Sequence, residues 1–248
     1  MPTYQQRLTE QKLREEIVLV GQLLWQKGYL AAGDGNISAR LGSDRLIATP
    51  SGLSKGFLKP EQLLLTDMQG RKIPTSSAET RALEPSSELK MHVEAYRQRA
   101  DAAAVVHAHL PKCIALSIAG IAVAPCLLPE VVLTMGIIPT ATYATPGTWE
   151  VPASIRELVR DHDALLLERH GTLTVGKSIL DAYFKQERLE HAAEITLTLR
   201  LLGKERPIPA GEMEKLIQIA QSKGTIADPL IQETCAKCGL CPSHSQTR

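Results

Sequence analysis

An α/β fold is predicted by three features of the chain. Apolar residues recur at helical spacing in some stretches and form short continuous runs in others. The two kinds of stretch are interleaved from end to end, and the short runs are joined by glycine- and proline-rich turns. Pattern alone leaves parallel and antiparallel sheets both open. The 248 residues suffice for one substantial core, and 44% hydrophobic content suits a globular protein.

The elements follow in order. Leu13, Ile17, Val20 and Leu24 lie on one helical face and Gly28 follows as a C-cap, so the chain opens with an amphipathic helix. AAGDGNISARLGSDRLIATPSG reads as two short strands carried on glycine and asparagine turns. PSSELKMHVEAYRQR begins after Pro85 with serines able to cap and continues as a helix. AAAVVHAHL, DALLLERHG and TLTVG read as buried strands. Ser178 and Asp181 resemble a capping box, and Leu189, Ala192, Ile195, Leu199 and Leu202 mark the expected core face of a long helix. KERPIPAGE interrupts that pattern, which sets the expected division at residues 1–205 and 206–248.

Charge is balanced, with 28 basic and 27 acidic residues, so no global field favours nucleic acid or an anionic membrane as partner. No stretch reads as a leader or a membrane span, and the cysteine pattern is not a secreted disulfide framework; the expected setting is cytoplasmic. The expected partner is a small polar substrate.

The chemistry concentrates in a few positions. In an extended strand, alternate side chains share a face, so His107 and His109 of AVVHAHLPK are placed to chelate one ion. His170, at the end of DALLLERHG and followed by Gly171, is a third candidate. Three neutral imidazoles with one open position suit a catalytic zinc ion; the competing reading has each imidazole bonded to backbone carbonyls. His92, His162 and His191 are read as ordinary helix or surface residues. Glu88, at a helix start behind Ser86 and Ser87, is either a capping residue or an acid at an anion-binding helix end. GDGNIS and TPSG offer amide-rich turns with Asn36 and Ser51 as donors, a candidate phosphate nest. In the tail, Cys235, Cys238, Cys241 and His244 lie three residues apart, either a second, structural metal site or a run of oxidisable thiols.

GNIS, TPSG, PSSE, HAH and RHG, in this order and at these separations, resemble the class II (zinc-dependent) aldolase/adducin family, most closely its fuculose-phosphate aldolase branch. The resemblance runs to Leu202. It implies a three-layer α/β/α sandwich around a mostly antiparallel sheet, assembled as a homotetramer with active sites at subunit interfaces. It makes His107, His109, His170 and Glu88 the ligands of one Zn2+ (or another divalent ion) per subunit, with Glu88 also the catalytic acid or base. It assigns the substrate phosphate to Gly35, Asn36, Ser51, Gly52, Ser86 and Ser87. The implied activity is cleavage of a ketose phosphate like L-fuculose 1-phosphate to dihydroxyacetone phosphate and an aldehyde through a metal-stabilised enediolate. Relatives put the same ligands to 4-epimerisation of pentulose phosphates, dehydration or decarboxylation, and adducin heads keep the fold as a scaffold without the metal chemistry. Where that branch carries a proton-donating tyrosine from a neighbouring subunit, this chain has PCLLPEVVLTMG, whose ionisable side chain is Glu130; a proton-transfer or substrate-selecting role is therefore expected of Glu130. Tyr143, in TYATPGT, lies on a stretch that lines the site in the family.

Overall fold

The computed structural model describes residues 4–75, 77–123 and 125–223. The elements run α1 (Tyr4–Gln26), β1 (Asn36–Leu41), β2 (Arg45–Ala48), β3 (Leu64–Asp67), α2 (Ala78–Arg81), α3 (Leu89–Gln98), β4 (Ala104–Ala108), α4 (Pro111–Ile118), α5 (Pro129–Thr134), β5 (Thr140–Ala141), α6 (Glu150–Ile155), α7 (Leu158–Asp161), β6 (Ala164–Leu167), β7 (Gly171–Gly176), α8 (Ile179–Leu202) and α9 (Ala210–Lys223). Two strands escaped the pattern reading. β3 follows two single 3-10 turns rather than a glycine turn, and β5 is only two residues long.

One seven-stranded sheet has the order β3-β2-β1-β4-β7-β6-β5. Every pairing is antiparallel except β5 with β6, which resolves the alternative that pattern left open. Short connections explain it: β1 to β2 and β6 to β7 turn back within three residues, too few for the crossover that parallel neighbours need.

Both faces of the sheet are covered. On one, Ile37, Ala39, Val106 and Ala108 pack with Ile17, Val20 and Leu24 of α1, Leu116 of α4 and Leu189 of α8. On the other, Leu46, Val105, Leu165 and Leu173 pack with Met91 and Ala95 of α3, Ile155 of α6 and Val159 of α7. This is the expected three-layer sandwich. Ile17, Val20 and Leu24 are fully buried, and each contributes roughly 1.5–3 kcal/mol, which anchors the first helix to the sheet.

Helix α8 starts as expected, with Ser178 Oγ accepting from the Asp181 amide at 3.1 Å, and ends at Gly203 in the left-handed region. Its expected core face holds at Leu189 and Ala192. It fails at Leu202, which is 65% exposed beside Leu201, because the last turn runs clear of the elements that α8 packs on. Beyond residue 205, Met213, Ile217 and Ala220 of α9 pack with Cys126 and Val132, and the Ile208 amide donates to the Cys126 carbonyl at 2.9 Å. No helix among the described residues is long and apolar enough to cross a membrane. Cys235, Cys238, Cys241 and His244 lie outside the described residues.

Candidate metal centre and active site

The centre is built where β1, β4 and β7 meet. β4 lies between the other two, and its register sets Asn36 opposite His107 on one side and Leu173 opposite His107 on the other. His107 Nδ1–H donates to the Thr172 carbonyl at 2.8 Å, since a carbonyl can only accept. The His107 Nε2 lone pair is thereby turned outward. His109 stands one residue beyond β4, its amide donating to the Tyr29 carbonyl at 3.0 Å, and keeps the shared face. Its Nε2 lies 3.1 Å from that of His107. His170 is not on a strand but in the β6–β7 turn, after Arg169 at a φ of 61°, an uncommon conformation for a residue with a side chain.

Gly171 serves clearance rather than turning. A Cβ there would sit 2.5 Å from the Ala108 carbonyl oxygen and 3.1 Å from both the His107 and His109 rings. Gly35 meets both demands: its φ is 67°, and a Cβ would fall 2.8 Å from the His107 carbonyl oxygen.

Glu88 directly precedes α3, and its side chain does not cap the helix. Instead Oε1 lies 2.8 Å from His170 Nε2, while Oε2 accepts from Asn36 Nδ2 at 2.8 Å and lies 3.6 Å from His107 Nε2. The carboxylate is thus turned to the imidazoles and Asn36 rather than to the helix amides. Burial alone would raise its carboxyl, but the His170 hydrogen bond, the charges of His107 and His170 and the Asn36 amide outweigh it; the group is held well below the ordinary carboxylate range. Burial acts the other way on the imidazoles. His107 is pushed down to about 3 by burial, against the pull of Glu88. His109 is lowered by burial first and then by His170.

These groups fit a divalent ion. Ring nitrogens of His107, His109 and His170 all lie within 4.8 Å of one another. Tetrahedral zinc with nitrogen at its usual bond length needs neighbours roughly 3.3 Å apart, close to the His107–His109 separation. Burial disfavours the protonated form of His107 and His109 and so favours the lone pairs that a cation requires, and the Glu88 carboxylate faces them.

A cleft of about 360 Å3 opens on the centre. Glu88, His109 and His170 form one part of its wall, and Gly35, Ser51, Gly52, Ser86 and Ser87 form another. The loops that carry Ser51 and Ser86 are tied together, because the Ser51 amide donates to the Glu84 carbonyl at 2.8 Å. Asn36 stands apart from the wall, buried behind Glu88 with its amide shared between Glu88 and Ser86. Pro146 and Gly147 of the TYATPGT stretch reach the cleft; Tyr143 is exposed elsewhere. Glu130 is not brought to the centre within one chain: it sits at the start of α5 on a separate cleft of about 530 Å3, with Phe184, Arg188 and His191 of α8.

Two wall residues were missed by sequence reasoning, Asp34 and Lys55. Both sit in the GDGNIS and TPSG neighbourhoods already singled out, so proximity to those turns was the available signal. Lys55 is buried, with its ammonium donating to the Gly33 and Leu53 carbonyls. Burial lowers its pKa, and Asp34 and Glu88 counter that effect. His92 keeps its ordinary reading: it is buried, bonded through Nδ1 to Ser38 Oγ at 2.7 Å, and pushed down to about 3 by burial.

The model of the class II aldolase and adducin N-terminal domain matches residues 15–197. A 3-oxo-tetronate 4-phosphate decarboxylase of Cupriavidus necator is 36% identical, over 77% of this chain and 87% of its own. An L-fuculose phosphate aldolase of Methanococcus maripaludis is 32% identical, over 75% and 97% respectively. Among solved structures, YgbL of Escherichia coli superposes with a TM-score of 0.75 at 32% identity, covering 84% of this chain and 99% of its own. The L-fuculose-1-phosphate aldolase of Thermus thermophilus does so with 0.68 at 32%, covering 79% and 98%.

Proposed function

This chain belongs to the class II aldolase and adducin N-terminal domain family, and on that footing we propose that it is a zinc-dependent carbon–carbon lyase acting on a phosphorylated sugar or sugar acid. The observation that carries the proposal is a single cleft with two kinds of wall: two imidazoles and a carboxylate in one part, with the His107 ring buried just behind them, and small hydroxyl- and amide-bearing residues in the other. His107, His109, His170 and Glu88 would hold one divalent ion per subunit. Such an ion supplies a Lewis acid that stabilises negative charge developing on substrate oxygens.

The rest falls to the chain. Gly35, Ser51, Gly52, Ser86 and Ser87 bind the substrate phosphate, and that binding aligns the bond to be broken. Asn36 acts through Glu88, whose carboxylate it steadies at 2.8 Å. Glu88 faces the centre and moves the proton at the reacting carbon: it takes up a proton from solvent and delivers it to that carbon after the carbon–carbon bond has broken. Residues 1–205 carry this site, and residues 206–248 form an extension. The assembly we propose is a homotetramer in which Glu130 serves a neighbouring copy's site.

Of the substrates, a 3-oxo sugar-acid phosphate is the better supported and a ketose 1-phosphate the second reading. When a 3-oxo acid loses carbon dioxide, the bonding pair passes toward the ketone oxygen and the carbon then takes a proton, so the leaving group needs no proton exchange of its own. Aldehyde release does need one, and PCLLPEVVLTMG carries no tyrosine for it. The similarity to the Cupriavidus necator decarboxylase supports the same choice. The similarity to fuculose phosphate aldolases keeps the second.

The test is product analysis on zinc-loaded protein given 3-oxo-tetronate 4-phosphate or L-fuculose 1-phosphate, with Glu88→Gln, Glu130→Gln and chelated samples alongside. Carbon dioxide release abolished by chelation and by Glu88→Gln is the expected result. Dihydroxyacetone phosphate release alone would move the assignment to the aldolase, and neither product from zinc-bearing protein would remove both, leaving epimerase and dehydratase substrates. Glu130→Gln is expected to lower turnover or shift substrate choice; no change in either would end its proposed role.

A further inference from the structure

We propose that Asp34 is a positioning residue for the metal centre: it fixes the tautomer and orientation of His109, so that His109 Nε2 meets the ion as an acceptor. The inference rests on the metal-centre reading above and adds to it a group outside the ligand set.

The two histidines that face each other at 3.1 Å are supported differently. His107 is buried in the sheet, and the Thr172 carbonyl takes its Nδ1–H. His109 lies past the end of β4, where its backbone is tied to Tyr29 but no strand neighbour takes its ring. The group that faces its Nδ1 is the Asp34 carboxylate, with Oδ2 at 3.3 Å. A carboxylate beside an imidazole nitrogen can only accept, so the proton of neutral His109 is drawn to Nδ1 and its lone pair is left on Nε2. Without Asp34 the ring is free to carry its proton on Nε2, where it would donate to the His107 lone pair and close the space for the ion.

The loop that presents Asp34 is fixed well enough to do this. Ala32 has a φ of 47° and Gly35 of 67°, so two left-handed residues bracket the turn, and the Asp34 amide donates to the Ala31 carbonyl at 2.9 Å. The buried Lys55 ammonium holds the Gly33 carbonyl from below. Meanwhile the Asp34 side chain is 46% exposed at the cleft, so it can be replaced without opening the core. Carboxylates in this position behind a ligand histidine typically change metal affinity by about 10- to 100-fold when removed.

The experiment titrates metal-stripped full-length protein with Zn2+ against a chromophoric chelator, and with Co2+ while recording its visible bands, for the wild type, Asp34→Ala and Asp34→Asn. Asp34→Ala is expected to weaken Zn2+ binding by about 10- to 100-fold and shift the Co2+ bands, while Asp34→Asn, which keeps an acceptor oxygen, recovers part of the loss. Circular dichroism verifies that each variant is folded, and the asparagine variant decides should the alanine variant not fold. Unchanged Zn2+ affinity and Co2+ bands in both variants would overturn the role of Asp34 alone, and so would a rise in KM with metal affinity intact, which would assign Asp34 to the substrate. A wild type that takes up neither metal would overturn the metal-centre reading itself.

Discussion

At the scale of single residues, the tightest constraint on the centre is the missing side chain at Gly171. Two of the three atoms that a Cβ would meet belong to candidate ligands, His107 and His109, and the third is the backbone oxygen of Ala108, which cannot swing aside. Gly171→Ala therefore has to push the start of β7 away from β4, and overpacking of this kind costs roughly 1–3 kcal/mol. We expect a lower urea midpoint together with weaker Zn2+ binding. Unaltered zinc affinity in a folded Gly171→Ala protein would show that the ligand rings do not depend on this clearance. The histidines themselves were legible from alternation along AVVHAHL and from the glycine after His170, because strand geometry is local. Asp34 and Lys55 were not, because an aspartate between two glycines and a lysine after a serine look like ordinary loop residues until the fold sets them against His109 and Gly33.

At the scale of elements, caps were readable and packing partners were not. Ser178 with Asp181 and Gly28 mark helix ends through local hydrogen bonds and left-handed backbone, and the structure has both. How far a helix stays buried depends on what lies beside it, which is why Leu202 was expected in the core and is exposed. The sheet pairing was likewise open to pattern alone, and only the family resemblance implied the mostly antiparallel arrangement that the structure has. Ser178 offers a separate test of how far the centre is insulated from such features. Ser178→Ala removes the acceptor for the Asp181 amide and should lower global stability by about 1 kcal/mol. Zinc affinity should not change, since α8 touches none of the four candidate ligands through this cap; a coupled loss of affinity would mean that the α8 terminus helps to position β7.

At the scale of the whole molecule, the candidate ligands are drawn from parts of the chain distant in sequence. Glu88 comes from the lead-in to α3, His107 and His109 from β4 and its end, and His170 from the turn between β6 and β7. These segments meet only when both faces of the sheet are packed, so an ion held by all four has high affinity for the folded chain and little for the unfolded one. Binding energy at the site is then folding energy for the molecule. Free zinc at 100 times its dissociation constant should add about 2.7 kcal/mol to the stability of the protein, and at 1,000 times about 4.1 kcal/mol. Paired urea melts with buffered zinc and with excess chelator measure this difference directly, and His170→Ala should shrink it by removing the imidazole that the β6–β7 turn contributes. A zinc-independent midpoint in protein that binds the ion at these residues would mean that the unfolded chain binds it equally well, and the centre would then be a passenger on the fold rather than a clasp across it.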